Sequence, residues 1–185
     1  MRKVANTPVT GEPGAINMAR AINSIAAAWL LSIGFDLFLH AGLLAQLYLE
    51  PSPFLLAPDV AFRRIPLGYL TFLMLTVALY WLLWRLKIQG MRAGFRYGLT
   101  VAAVVWGALA IGLYSFSTAA LPMLAAWWVG QSLELGLAGA VLGAANDLAP
   151  LKRIWMMVVA VVVALVAITV TLQSMGLAPA MRVVG

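Results

Sequence analysis

The chain has 185 residues, of which 64% are hydrophobic and 10% charged, and its mean hydropathy is +0.98. A soluble domain carries about 25% charged and 45–50% apolar residues, so a soluble globular enzyme is excluded, as are a disordered chain and a collagen-like one. With no cysteine, a disulfide scaffold, a thiolate metal site and thiol–disulfide exchange are excluded as well. The composition is that of an integral membrane protein.

Residues 1–20 are polar and lead into an apolar run too long for a signal-peptide core of about 7–15 residues. They read as a flexible cytoplasmic tail ahead of an uncleaved signal anchor. Five apolar stretches are then long enough to cross a hydrocarbon layer about 30 Å thick. They lie near residues 21–49, 65–86, 95–115, 121–143 and 154–173. Runs such as 158–170 are apolar all round, whereas a transmembrane barrel would show alternating polarity over about ten residues. The expected fold is therefore all-α, a single polytopic bundle of five transmembrane helices over residues 21–175, with a short external tail at 176–185. Pro51, Pro53 and Pro58, Gly90, Pro122 and Pro150 stand at the breaks between stretches, where chain turns need them.

The twelve Lys and Arg residues orient this bundle. Arg2, Lys3 and Arg20 precede the first stretch, Arg85, Lys87, Arg92 and Arg96 surround the second connection, and Lys152 and Arg153 follow the fourth stretch. With five spans these nine share one side, leaving Arg63, Arg64 and Arg182 on the other. The positive-inside rule then places the N-terminus in the cytoplasm and the C-terminus outside. The plasma membrane, as in a bacterial inner membrane, is the expected location. Basic loops beside anionic lipid account for the pI of 10.2 without nucleic acid as a partner. Trp81, Trp84, Tyr97 and Trp155 fall near the inner interface of this scheme, and Tyr48, Tyr69, Tyr114, Trp127 and Trp128 near the outer one.

Asp36, His40, Gln131 and Glu134 are the polar residues that fall deep inside spans. A carboxyl group at that depth costs several kcal/mol on insertion scales, so it is expected to face the bundle and find a partner. Ser32, Asp36 and His40 follow at intervals of four on one face of the first helix, and Gln131 and Glu134 share a face of the fourth. At 1.5 Å per residue, Asp36 and Glu134 fall roughly 18 and 20 Å from the outer ends of their helices, and His40 and Gln131 roughly 12–15 Å. The two pairs meet if these helices are neighbours. Two carboxylates in a medium of low dielectric constant cannot both stay ionised alone: they share a proton, pair with a protonated His40, or hold a divalent metal ion with Asp36, His40 and Glu134 as ligands. The plainer alternative is that Asp36 pairs with His40 inside one helix and Glu134 bonds to a neighbouring backbone or hydroxyl group. Thr76, Tyr80, Ser115, Ser117 and Thr118 would extend the network unless their hydroxyl groups bond to their own helices.

Gly139 and Gly143 form a Gly-x-x-x-Gly pair in the fourth helix, suited to close helix packing within the chain or to a homodimer or larger membrane complex. The connection at residues 50–64 combines three prolines with Phe54-Leu55-Leu56-Ala57 and ends in Arg63-Arg64. It could lie over the bundle mouth as an external lid, with the two arginines contacting an anionic headgroup or simply reaching the interface.

Several activities lack their residues. One histidine cannot supply a bis-histidine haem, no lysine falls inside a span for a retinal Schiff base, and there is no H-E-x-x-H motif, Gly-x-Ser-x-Gly elbow or Walker loop. No cofactor is evident, and an enzymatic role is the less favoured one. The expected function is transport, or binding of a small molecule or cation, through a proton-titrating site of Asp36, His40, Gln131 and Glu134. The alternatives are a structural or assembly subunit of a larger membrane complex and an intramembrane enzyme using Asp36 and Glu134.

Overall fold

The computed structural model describes residues 17–49 and 52–179. The tail up to residue 16, Glu50, Pro51 and residues 180–185, including Arg182, lie outside them. Within them the chain is a bundle of five α-helices: α1 Met18–Phe38, α2 Pro58–Arg85, α3 Met91–Phe116, α4 Leu121–Asn146 and α5 Leu151–Ser174. No strand occurs among the described residues.

Four of these helices have the length and apolar composition to cross a membrane, over Met18–Leu43, Asp59–Arg85, Met91–Phe116 and Leu151–Ser174. α4 is as long as α3, but Gln131, Ser132, Glu134 and four glycines dilute its hydropathy. Its position in the bundle explains how it tolerates them. α4 packs against all four other helices, and nearly every residue from Gly130 to Ala145 is buried. A helix enclosed by its neighbours faces little of the surroundings and can be less apolar than they are.

α1 lies between α4 and α5 and also touches α2. Its N-cap Asn17 accepts a hydrogen bond from the Arg20 amide at 3.1 Å, satisfying one of the free donors of the first turn. Arg20 in turn donates to Ala145 O at 3.0 and 2.8 Å and to Ala149 O at 2.7 Å. A cation is thereby placed on one carbonyl of the last turn of α4 and one just beyond it, at the negative end of the helix dipole. Asn146 donates to Ile88 O and the Gly90 amide to Gly143 O, so the start of α1, the α2–α3 turn and the α4–α5 turn gather at one end of the bundle. The core at this end is aliphatic, built on Leu79, Leu83, Leu142, Ile154 and Val158.

α3 packs chiefly on α4, and the seam is backbone against backbone. A Cβ on Gly94 would sit 2.1 Å from Gly139 O, and one on Gly143 would sit 2.5 Å from Gly90 O. The Gly139–Gly143 pair is thus filled by α3 of the same chain. α5 rests on α1 and buries only Ile154, Val158 and Thr169, leaving most of its valines outward.

Two boundaries differ from the sequence reading for clear reasons. The stretch 58–64, read as loop, is the start of α2: a proline at the first helical position has no donor to lose, and Asp59 favours the positive end of the helix dipole. Pro66 therefore stands inside α2. The first helix does not run regularly to Leu49. After Phe38 it widens into one π-helical turn, Leu39–Leu43, and then tightens into a 3-10 turn, Ala45–Tyr48.

Candidate functional site at the junction of helices one and four

The change of helical pitch sits at the polar residues. The Leu44 amide donates to Leu39 O, five residues back, at 2.7 Å. A wide turn of this kind leaves carbonyls out of the regular ladder, and such turns gather at functional sites. Here Gln173 of α5 donates to Ala41 O at 3.0 Å, supporting the turn from outside. His40 lies within the wide turn, and the 3-10 turn after it carries Tyr48 back beside the His40 ring, with ring centroids 5.6 Å apart.

His40 uses both ring nitrogens. Its Nε2 is 3.2 Å from Asp36 Oδ1, one turn earlier on α1, and its Nδ1 bonds to the Tyr48 hydroxyl. From α4, the Trp127 indole donates to the same hydroxyl at 2.6 Å. An indole N–H has no acceptor capacity, so Tyr48 Oη accepts from Trp127 and turns its own hydrogen toward His40 Nδ1. In the neutral imidazole the remaining hydrogen then lies on Nε2, aimed at Asp36. With His40 neutral and Asp36 accepting, the donors run from Trp127 to Tyr48, from Tyr48 to His40 and from His40 to Asp36.

α4 supplies the inner half. Trp127, Gln131 and Glu134 are spaced by four and three residues and share the face that meets α1. The Gln131 amide reaches 3.5 Å from His40 Nε2 and also faces the Asp36 and Glu134 carboxyl groups. Rotation of the amide presents either its NH2 or its C=O to these groups, so Gln131 can follow a change of hydrogen on His40. Glu134 is 3% exposed, faces Ser32 of α1, and lies within electrostatic reach of Asp36. Its Oε2 is buried without a hydrogen-bond partner among the described residues. The His40 and Asp36 side chains keep 29% and 18% of their surface. The cluster thus grades from partly open at His40 to closed at Glu134.

Chemically, the Tyr48 hydroxyl, the His40 ring and the Asp36 and Glu134 carboxyl groups are each able to give or accept a hydrogen ion. Both His40 nitrogens are engaged, and no group of three or more His, Cys, Asp or Glu among the described residues is arranged to hold a metal ion. Of the site residues expected from sequence, Asp36, His40, Gln131 and Glu134 come together. Arg63 and Arg64 do not join them: both are exposed on the early turns of α2, and neither forms an ion pair among the described residues. Thr76, Ser115 and Ser117 bond to carbonyls of their own helices and extend nothing.

Tyr48 and Trp127, read from sequence as interface aromatics, are the members that sequence reasoning missed. The only signal pointing to Trp127 was its place one turn before Gln131 on the polar face of α4. Tyr48 offered none, since its return to His40 depends on the π-helical turn. The connection between α1 and α2 adds a cover: Phe54 lies 6.2 Å from the Trp127 ring, and with Leu55 it packs on the Met123–Leu124 end of α4.

No family model matches this sequence, and neither a curated protein nor a solved structure gives a match.

Proposed function

We propose that the chain is a polytopic plasma-membrane protein of the transport or small-solute-binding class, in which a proton held between α1 and α4 governs access to the bundle interior. In this reading all five helices span the bilayer, with the N-terminus in the cytoplasm and the C-terminus outside. α4 crosses as the enclosed central helix. The outer mouth lies at Tyr48, Trp127 and the Phe54–Leu55 cover.

The observation that carries this reading is the ordered hydrogen-bond chain from Trp127 through Tyr48 and His40 to Asp36, ending beside the unpartnered Glu134 oxygen. A lone structural ion pair needs no such continuation. A relay does: Tyr48, His40 and Asp36 can each give and receive hydrogen as charge moves, and the Trp127 N–H, a donor only, holds the Tyr48 oxygen in place from α4. Asp36 and Glu134 are the proton-holding groups, His40 transfers between the outer hydroxyl and Asp36, and Gln131 orients the three.

The test is proton uptake into liposomes that contain the purified protein and a trapped pH-sensitive dye. After an external acid step, the protein should raise the uptake rate above that of empty liposomes. Glu134→Gln and Asp36→Asn should each bring it at least about tenfold closer to the protein-free rate, as expected when a relay member no longer titrates. Equal rates in the native protein and both variants would reject the relay.

A further inference from the structure

A second feature lies on a different face of α4 from the relay. Where the first turns of α3 meet the C-terminal half of α4, a groove of about 380 Å³ opens at the bundle surface. It is lined by Met91, Arg92, Phe95, Arg96, Leu137 and Ala140. Arg92 and Arg96 are one turn apart on α3, so both guanidinium groups stand on the same rim. Both are exposed, and no carboxylate pairs with either among the described residues. The remaining lining is apolar, and because α3 packs chiefly on α4, the side of the groove away from α4 is uncovered.

We propose that this groove binds the headgroup of an anionic phospholipid from the cytoplasmic leaflet, with the start of an acyl chain along Phe95, Leu137 and Ala140. The assignment rests on the membrane placement and orientation given above. Two guanidinium forks on one rim match the planar, multi-oxygen face of a phosphodiester, and each is always charged. An apolar trough below them suits a ligand that continues as hydrocarbon, and it gives a soluble phosphate nothing to contact. Basic pockets between helices at the cytoplasmic face are places where anionic lipids collect. Arg20, although at the same end, is committed to the carbonyls of Ala145 and Ala149 and cannot serve.

The test is native mass spectrometry of the detergent-purified full chain, titrated with phosphatidylglycerol or phosphatidylcholine. One phosphatidylglycerol should be retained at least about tenfold more strongly than phosphatidylcholine. That preference should vanish in the Arg92→Gln/Arg96→Gln double variant, persist in Arg92→Lys/Arg96→Lys at a reduced level, and stay intact in Lys152→Gln/Arg153→Gln. Because Arg92 and Arg96 are exposed, the thermal midpoint of the Gln variant should match that of the native chain, separating lost binding from lost folding. Equal loss in the Lys152/Arg153 variant would replace the site with diffuse charge and overturn the proposal. So would absence of a phosphatidylglycerol preference, or competition by glycerol phosphate as strong as by the lipid. Orientation is read separately from labelling of Lys152→Cys in intact cells. An impermeant reagent that reaches it from outside would overturn the assignment to the cytoplasmic leaflet while leaving the mass-spectrometric result standing.

Discussion

Tyr48 is the residue on which the proposed relay turns, because a single hydroxyl joins a donor from α4 to an acceptor on α1. Tyr48→Phe keeps the ring and removes the oxygen, leaving the Trp127 N–H and the His40 Nδ1 lone pair without partners. An unpaired polar group costs about 1–3 kcal/mol when fully buried and less when partly open, as these two are, so a loss of about 2 kcal/mol for both is expected in thermal unfolding of the detergent-solubilised protein, together with slower proton uptake. Glu134→Gln should separate these two effects. Its shape is conserved and one oxygen has no bond to lose, so stability should change by less than about 1 kcal/mol while uptake falls. A Glu134→Gln protein as destabilised as Tyr48→Phe would mean that Glu134 serves packing and not proton binding. Asp36, His40, Gln131 and Glu134 stood out in sequence because charge and amide groups inside apolar stretches are rare. Tyr48 and Trp127 did not, because aromatic residues near span ends are the ordinary case at a membrane interface.

Helix–helix contacts in this bundle are of two kinds, and glycine substitutions distinguish them. Across the α3–α4 seam a Cβ on Gly94 would meet backbone, 2.1 Å from Gly139 O, and no side-chain rearrangement can relieve that contact. Gly94→Ala should therefore push the two helices apart and lower stability by several kcal/mol, read as a large fall in thermal midpoint. Gly68, inside α2, has nothing within 4 Å of the same atom. There Gly68→Ala should raise stability by about 0.5–1 kcal/mol through helix propensity alone. The seam was half legible beforehand: the spacing of Gly139 and Gly143 announced a close approach but not its partner. Of the matching glycines, Gly90 caps α3 and Gly94 stands in its first turn, both ahead of the apolar stretch that marked the helix, while Gly98 lay inside that stretch with nothing to single it out. Helix number and class were legible because apolar runs and proline or glycine breaks are local properties. The π-helical turn was not, since nothing in Leu39-His40-Ala41-Gly42-Leu43 encodes a five-residue turn. Part of its support comes from Gln173, well over a hundred positions away, which makes the turn a tertiary feature. Gln173→Ala should leave Ala41 O unpaired and speed amide hydrogen exchange at Leu44, with less change at Leu31 in the regular part of α1.

For the whole molecule, the proposed five-span placement turns on α4, which carries the buried Glu134 near its centre. Four helices are apolar enough to cross by composition alone, while α4 is not among them. If α4 crosses, the ends of the bundle are electrically unlike: Arg20, Arg85, Lys87, Arg92, Arg96, Lys152 and Arg153 gather at the end held together by the Arg20, Asn146 and Gly90 bonds, and Arg63 and Arg64 stand at the other. If it does not, Lys152 and Arg153 come to lie on the same side as Ser117 and Thr118, and the charge asymmetry that orients the chain weakens from nine against three to eight against four. The absence of native cysteine makes this directly measurable. Single variants Asp59→Cys, Thr118→Cys and Lys152→Cys, all at exposed positions, can be treated with a membrane-impermeant maleimide in intact cells and again after lysis. Five spans with the N-terminus inside require labelling of the first two in intact cells and of the third only after lysis. Labelling of positions 118 and 152 from the same side would show that α4 does not cross, and the relay would then have to be placed outside a spanning bundle. The expected result is opposite sides, because α4 from Gly130 onward needs little outward hydropathy of its own, with its polar face turned to α1 and Gly136, Gly139 and Gly143 to α3, while Leu121, Trp128, Val129 and Leu133 give its exposed part an apolar surface.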